Sequence, residues 1–236
     1  MAKFGIVMTT YHRPDGSTYE KIKKSIQSIT SQTFSDWRLY LIGDHYTDYE
    51  EFDKICSLVP ESKITAINLP FAAERESGKF TGHALWCSAG KNASNTGILK
   101  SIEEGCEFHC HLDDDDEWLP HHLDTLNYAY NNFNEAVFIY TNSTYLGRLM
   151  PPFVVSPLLE YDNLPPAPEK LVHSSVSWRL DKIPLLHRDT IEQGRVFPGD
   201  ADMWERIGNY CRDKGLKTLY VPITTVLKED EKSMLK

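Results

Sequence analysis

Four consecutive aspartates, Asp113, Asp114, Asp115 and Asp116, follow a run in which Cys106, Phe108, Cys110 and Leu112 alternate with polar residues, and they precede Glu117, Trp118 and Pro120. Adjacent carboxylates repel one another. Crowding five acids at the mouth of a strand therefore points to a neutralising cation and a phosphate-bearing ligand. The competing reading is a solvated acidic turn capping a helix that starts near Pro120. One or two acids suffice for a cap, so the metal reading is preferred, with Asp115 as a ligand. Oxygen-only ligation suits Mn²⁺ or Mg²⁺.

Other polar residues also fall where strands should end. The segment Thr9-Thr10-Tyr11-His12-Arg13-Pro14 follows one apolar run, and Gly43-Asp44-His45-Tyr46-Thr47-Asp48 follows another. Asp44 reads either as a turn residue bonding its own backbone or as an acceptor for a base or ribose. Asp48, with Glu51 three residues on, is an N-cap. Cys106, His109, Cys110 and His111 suggest zinc, but in a strand the cysteines and histidines project to opposite faces, which assigns them to packing. His187 is a weaker candidate for the metal or diphosphate, Trp178 and His173 for acceptor stacking, and Arg75 and Lys79 for phosphate contact, with solvated charge as the default.

The elements that must position these groups alternate between short β-rich runs and helical periodicity, the pattern of a mostly parallel, Rossmann-like α/β sheet flanked by helices. Phe4 to Thr10, Trp37 to Ile42 and Ile64 to Leu69 read as strands. A capping box at Ser17 and Glu20 opens a helix carrying Ile22, Ile26 and Ile29; Asp48 opens one carrying Phe52, Ile55 and Val59. Pro70 to about Trp86 reads as a long functional loop, and Ala93 to Glu104 as a helix with Gly105 at its end. Beyond the aspartates come a helix with Leu123, Leu126, Tyr130 and Phe133, a strand at Ala136 to Tyr140, and a proline-rich stretch of short β-like pieces from Leu146 to Pro184 whose clearest loop is Leu164 to Pro168. A helix at about Ala201 to Lys214, a strand at Leu219 to Val221 and a frayed end from Lys228 to Lys236 complete the reading.

In 236 residues, 41% hydrophobic and 25% charged, this composition is ordinary for a globular protein. A net charge of −9 argues against nucleic acid as a partner, because phosphate backbones select clustered Lys and Arg. The apolar run after Met1 is too short for a signal-peptide core, and no stretch approaches the length of a membrane span. Five cysteines without CxxC spacing read as reduced thiols in a cytoplasmic setting.

The combined pattern resembles the inverting glycosyltransferases of family 2, which have the nucleotide-sugar-binding glycosyltransferase A fold. The resemblance rests on Thr10-Tyr11-His12-Arg13-Pro14, on Ser28 to Phe34, on Leu41-Ile42-Gly43-Asp44, on Gly90 with Asn95-Thr96-Gly97, on the strand into Leu112 to Pro120 with its DXD motif, and on Gly199 to Arg206. Two positions depart from the family pattern: His45-Tyr46 replaces Gly-Ser after Asp44, and Gly199 replaces the glutamate before Asp200.

The resemblance implies one glycosyltransferase domain over 1–236, with a nucleotide-sugar-binding half to about residue 116 and an acceptor-binding half over 117–236. It implies a UDP-sugar donor, a glycan or other hydroxyl-bearing acceptor, and donor contacts from Thr9, Tyr11, Arg13, Asp44, Asn95, Asp113 and Asp114. Asp113 and Asp115 would hold the metal. Asp200 matches the family's general base, with Asp202 as the fallback, and it also reads as an N-cap for its helix. The competing functions are an aspartate-nucleophile phosphohydrolase built on Asp113 and Asp115, and a non-catalytic cation-dependent nucleotide- or carbohydrate-binding module.

Overall fold

The computed structural model describes residues 3–151, 161–162, 171–190, 194 and 196–228. Strands β1 (Phe4–Thr10), β2 (Trp37–Gly43) and β3 (Ile64–Asn68) alternate with helices α1 (Thr18–Thr30) and α2 (Tyr49–Cys56). Helices α3 (Gly82–Ser88) and α4 (Lys91–Glu103) lead into β4 (Phe108–His111), β5 (Glu117–Trp118) and α5 (His122–Asn132). Next come β6 (Ala136–Tyr145), β7 (Arg148–Met150), β8 (Tyr161–Asp162), β9 (Val176–Arg179), α6 (Gly199–Lys214) and β10 (Lys217–Leu227). Among the described residues, one ten-stranded sheet takes the order β3-β2-β1-β4-β9-β6-β10-β5, with β7 beside β6 and β8 beside β10.

The first four strands in that order are mutually parallel, so the ends of β1, β2 and β4 open on one edge, where ligands of such sheets collect. Parallel order stops at β9, which runs antiparallel to both β4 and β6. The second half is therefore mixed.

Apolar residues on successive positions of β1 are buried on both sides. Ile6 and Met8 pack with Ile22, Ile26 and Ile29 of α1 and with Leu123 and Leu126 of α5. Val7 faces a second core with Ile98 of α4, Trp178 of β9, and Met203, Trp204 and Ile207 of α6. Among the described residues no helix is long and apolar enough to cross a membrane, and all five cysteines are free thiols.

Several expectations meet different local physics. Asp48 is an N-cap in β conformation and its carboxylate accepts from Glu51 N at 3.1 Å. The Ser17–Glu20 capping box does not form. Ser17 is already helical (φ −79°, ψ −9°) and its side chain caps nothing, while Thr18 Oγ1 accepts from Arg13 N. The helix after the aspartates starts at His122 instead of Pro120, and the loop after β3 closes into α3 from Gly82. Strands β6 and β10 run well past the stretches expected of them, because they pair in parallel through Lys217–Ala136 to Leu227–Thr144. Leu164 to Pro168 lies outside the described residues.

Helix α4 approaches β1 closely because Gly97 faces it: an added Cβ would lie 2.5 Å from Val7 Cγ1 and 3.3 Å from Ile42 Cγ1. Alanine in a helix interior normally gains about 1 kcal/mol over glycine, whereas overpacking against a stiff β-branched side chain costs about 1–3 kcal/mol. Gly97→Ala is thus expected to lose up to about 2 kcal/mol of stability in urea denaturation; a gain would show that α4 can move away from the sheet.

Candidate active site

The ends of β1, β2 and β4, the start of α6 and the turn before β9 line a cleft of about 780 Å³. Thr9, Tyr11, Arg13, Asp44, Asp113, Asp114, Asp115 and Asp200 all line it, so most residues singled out by strand-end position or by the family resemblance share one space.

At the β2 end, Asp44 N donates to Thr10 O at 2.7 Å, which fixes the carboxylate beside the end of β1. Asp44 is buried. Its Oδ2 accepts from Arg75 Nε at 3.1 Å, while its Oδ1 has no partner. Burial pushes its pKa up, against the opposing pull of Arg75. The Arg75 guanidinium also lies 3.6 Å from the Tyr11 ring centroid and that of Arg13 lies 4.8 Å from it, within cation–π range. Arg75 is thereby part of the site and not a solvated loop charge.

The four aspartates have four different environments. Asp114 forms a buried fork with Arg13, Nη1 to Oδ2 at 2.9 Å and Nη2 to Oδ1 at 2.5 Å. Asp115 lies 3.7 Å from Arg13 Nη2 and 3.9 Å from Lys21 Nζ. Asp116 is wholly buried; Ser174 Oγ donates to it at 2.6 Å, Lys228 Nζ lies 3.5 Å away, and burial pushes its pKa up to about 7. Asp113 Oδ1 faces His173 Nδ1 at 3.1 Å and His111 Nε2 at 3.4 Å, and its Oδ2 faces Lys228 Nζ at 3.5 Å. Burial opposes ionisation of Asp113, but His173, Lys228 and His111 hold it well below the usual carboxylate range.

At the start of α6, Asp200 is the second residue of the helix, half-buried, and its Oδ1 lies 2.8 Å from Ala201 N. Pro198 takes the N-cap position expected of Asp200. Asp202 is not brought to the cleft. It is fully buried under Arg188 (Nη2 at 2.8 Å) and Arg206 (Nε at 2.7 Å), which lower its pKa against the effect of burial. Asn95 is also absent from the lining. Its amide bonds the backbone of His187 in both directions, at 2.9 and 2.8 Å, and so positions the buried His187 that does line the cleft. Trp178 is a core residue, 3.9 Å from the His109 ring.

Two site residues escape the sequence reading. His111 is assigned to packing and Lys228 to a frayed end, yet both line the cleft; His173, a candidate for acceptor stacking, lies in it against Asp113. Alternation along β4 sets His109 and His111 on the face opposite Cys110, and this was the available signal for His111. Nothing local marks Lys228. A divalent cation fits the donor set: one oxygen of Asp113 and one nitrogen each of His111 and His173 lie within 4.8 Å of one another. Asp115 is outside that cluster.

Asp115 is pushed up to about 6 by burial and then by repulsion from Asp114 and Asp113. Its folded value lies above its ordinary 3.8, so its charge destabilises the cation-free protein fully above pH ~6 and not at all below pH ~4. Asp115→Asn is expected to stabilise the cation-free protein by about 1–2 kcal/mol near neutral pH, below the roughly 3 kcal/mol ceiling of a two-unit displacement. That gain should vanish near pH ~4. Denaturant titrations at both pH values check this; equal stability near neutrality would contradict it.

No protein-family model matches the chain. Among solved structures, the chain resembles a fragment of S. aureus TarS, residues 1–349, in complex with UDP, with a TM-score of 0.65 at 10% identity over 95% of this chain and 60% of that one. The same fragment with UDP-GlcNAc gives 0.62 at 12% identity over 99% and 61%. The mannosyltransferase PcManGT of Pyrobaculum calidifontis, with GDP-Man and Mn²⁺, gives 0.57 at 11% identity over 96% and 56%. The chain thus spans about 60% of the TarS fragment, and these likenesses establish the fold. In sequence, an uncharacterized glycosyltransferase of Acanthamoeba polyphaga mimivirus is 34% identical over 239 residues, covering 98% of this chain and 96% of its own. With that identity over nearly its whole length, and with a sheet that matches those solved glycosyltransferases, the chain belongs to the glycosyltransferases of the glycosyltransferase A fold.

Proposed function

We propose that the chain is an inverting glycosyltransferase that moves a hexose from a nucleotide-diphosphate donor, a UDP-sugar first, to a hydroxyl of a glycan or similar acceptor. The observation that carries this reading is the convergence of Asp44, the Asp113 to Asp115 run and Asp200 on one cleft. The solved relatives bind UDP, UDP-GlcNAc and GDP-Man at the same fold.

The residues divide the work. Asp44 Oδ1, buried and unpartnered, is available to accept a hydrogen bond from the base, and Tyr11, gripped between Arg13 and Arg75, holds that wall rigid. Thr9 lines the same end. The Arg13–Asp114 fork fixes the aspartate run against β1, so Asp114 supports the donor site through Arg13. Asp113 and Asp115 would hold Mn²⁺ or Mg²⁺, which supplies Lewis-acid stabilisation of the departing diphosphate. Asp200, at the start of α6, takes the proton from the acceptor hydroxyl as it attacks the anomeric carbon from the face away from the diphosphate.

Residues to about 116 form the nucleotide-sugar half and residues 117–236 most of the acceptor half. Helix α3 adds to the acceptor wall. Its Trp86 is half exposed, lines the cleft and stacks at 5.5 Å on His83. An exposed indole at the cleft replaces Trp178, which is fully buried, as the platform for the apolar face of an acceptor sugar.

Asp200→Asn is expected to lower turnover about 10²–10⁴-fold with donor Kd unchanged in calorimetric titration. A variant that turns over normally would remove Asp200 as the base. Trp86→Ala should raise acceptor KM roughly tenfold while leaving donor Kd unchanged, read by initial rates on whichever acceptor a glycan array identifies. An unchanged acceptor KM would remove Trp86 from the acceptor site.

A further inference from the structure

We infer that the Arg75 guanidinium occupies the base subsite of the donor-free protein as an internal stand-in for the nucleobase, so that every donor must displace it and Arg75 sets the threshold for donor affinity. The inference rests on the base-binding role given to Asp44 under the proposed function, and adds the residue that competes for it.

A base bound at this end of the cleft would use two features: an aromatic face to stack on, and a carboxylate in its own plane to accept an N–H. Arg75 takes both. Its Nε donates to Asp44 Oδ2 at 3.1 Å while its Cζ lies 3.6 Å from the Tyr11 ring centroid. A guanidinium is planar, carries its N–H donors in that plane and stacks on aromatic rings, as a uracil does with its imide N–H. The Asp44 side chain is only 3% exposed, and the oxygen that Arg75 leaves unbonded, Oδ1, is buried as well. With both oxygens covered, a base reaches the carboxylate only after a neighbour withdraws.

Arg75 is the neighbour able to do so. Arg13, the other guanidinium over Tyr11, is 7% exposed and committed to Asp114 through two hydrogen bonds. The Arg75 side chain is 30% exposed. The backbone on either side of it is pinned: Glu74 Oε1 accepts from Asn92 N at 3.0 Å, the Glu76 carboxylate pairs with His45, and Glu76 N donates to Ala72 O at 2.8 Å. The withdrawal is therefore a rotation of the Arg75 side chain about its own bonds, a fast motion for a partly exposed residue, and not an opening of the loop. A charge-assisted hydrogen bond that must break before a ligand binds lowers that ligand's apparent affinity about tenfold.

The test is calorimetric titration of the full chain with UDP and with uridine, Mn²⁺ present, in the wild type and in Arg75→Met, whose side chain stays long but neither donates nor carries charge. Arg75→Met is expected to bind both ligands about tenfold more tightly, although it removes a cation from a cleft that takes a diphosphate. Arg75→Lys, which keeps the charge without the planar fork, should tighten uridine binding in the same direction, so the result does not depend on one variant. Weaker UDP binding with uridine unchanged would make Arg75 a phosphate contact, and weaker binding of both would make it a wall on which the base rests. Either result overturns the inference, as does unchanged affinity, and each leaves the transferase reading intact. If neither the wild type nor the variants bind UDP, the base subsite itself is wrong and the proposed function fails with it.

Discussion

Four carboxylates in sequence at the end of one strand cannot all be ionised side by side without separate compensation, and much of this structure is arranged around that constraint. Arg13 reaches across from the end of β1 to fork onto Asp114. Ser174 and Lys228 take Asp116 into the interior. Asp113 is surrounded by Lys228, His111 and His173. What remains is Asp115, desolvated, repelled by its neighbours and raised to about 6, with only long contacts to Arg13 and Lys21. A fold that leaves one carboxylate in that state holds electrostatic strain where a cation would relieve it.

Sheet topology supplies the compensating groups. The parallel run of β3, β2, β1 and β4 brings Tyr11, Asp44 and the aspartates to one edge. The reversal at β9 then delivers His173 and Ser174 to the same edge from the other half of the chain. Strand β10, parallel to β6 and ending at Leu227, brings Lys228 beside them. The change from parallel to antiparallel pairing thereby joins the four parallel strands to the part of the chain that carries α6 and Asp200.

Local signals made much of this legible before any coordinates. The Ile22, Ile26 and Ile29 spacing predicts α1, and Asp48 with Glu51 predicts the cap of α2, because both depend on neighbours within one turn. Tyr11, Arg13, Asp44 and the aspartate run are readable because strand ends in such sheets share an edge. Several groups are held by partners far away in the chain. Lys228 meets Asp113 across 115 positions and Arg13 meets Asp114 across 101, which no periodicity encodes. Asn95 and Asp202 have the residue types of a site, yet each is committed to internal bonds, Asn95 to the His187 backbone and Asp202 to Arg188 and Arg206. Trp178 and Trp86 are indistinguishable by type; only packing decides that the first is core and the second is half exposed at the cleft.

The most direct measurement is proton NMR of the anomeric signal during turnover of α-configured UDP-sugars, run with Mn²⁺ and with phosphate assayed in parallel. Inverting transfer predicts a β-configured product, or β-configured free sugar when water serves as acceptor, with UDP released intact. Retention of the α configuration would contradict the role given to Asp200, and release of inorganic phosphate in place of UDP would contradict sugar transfer itself.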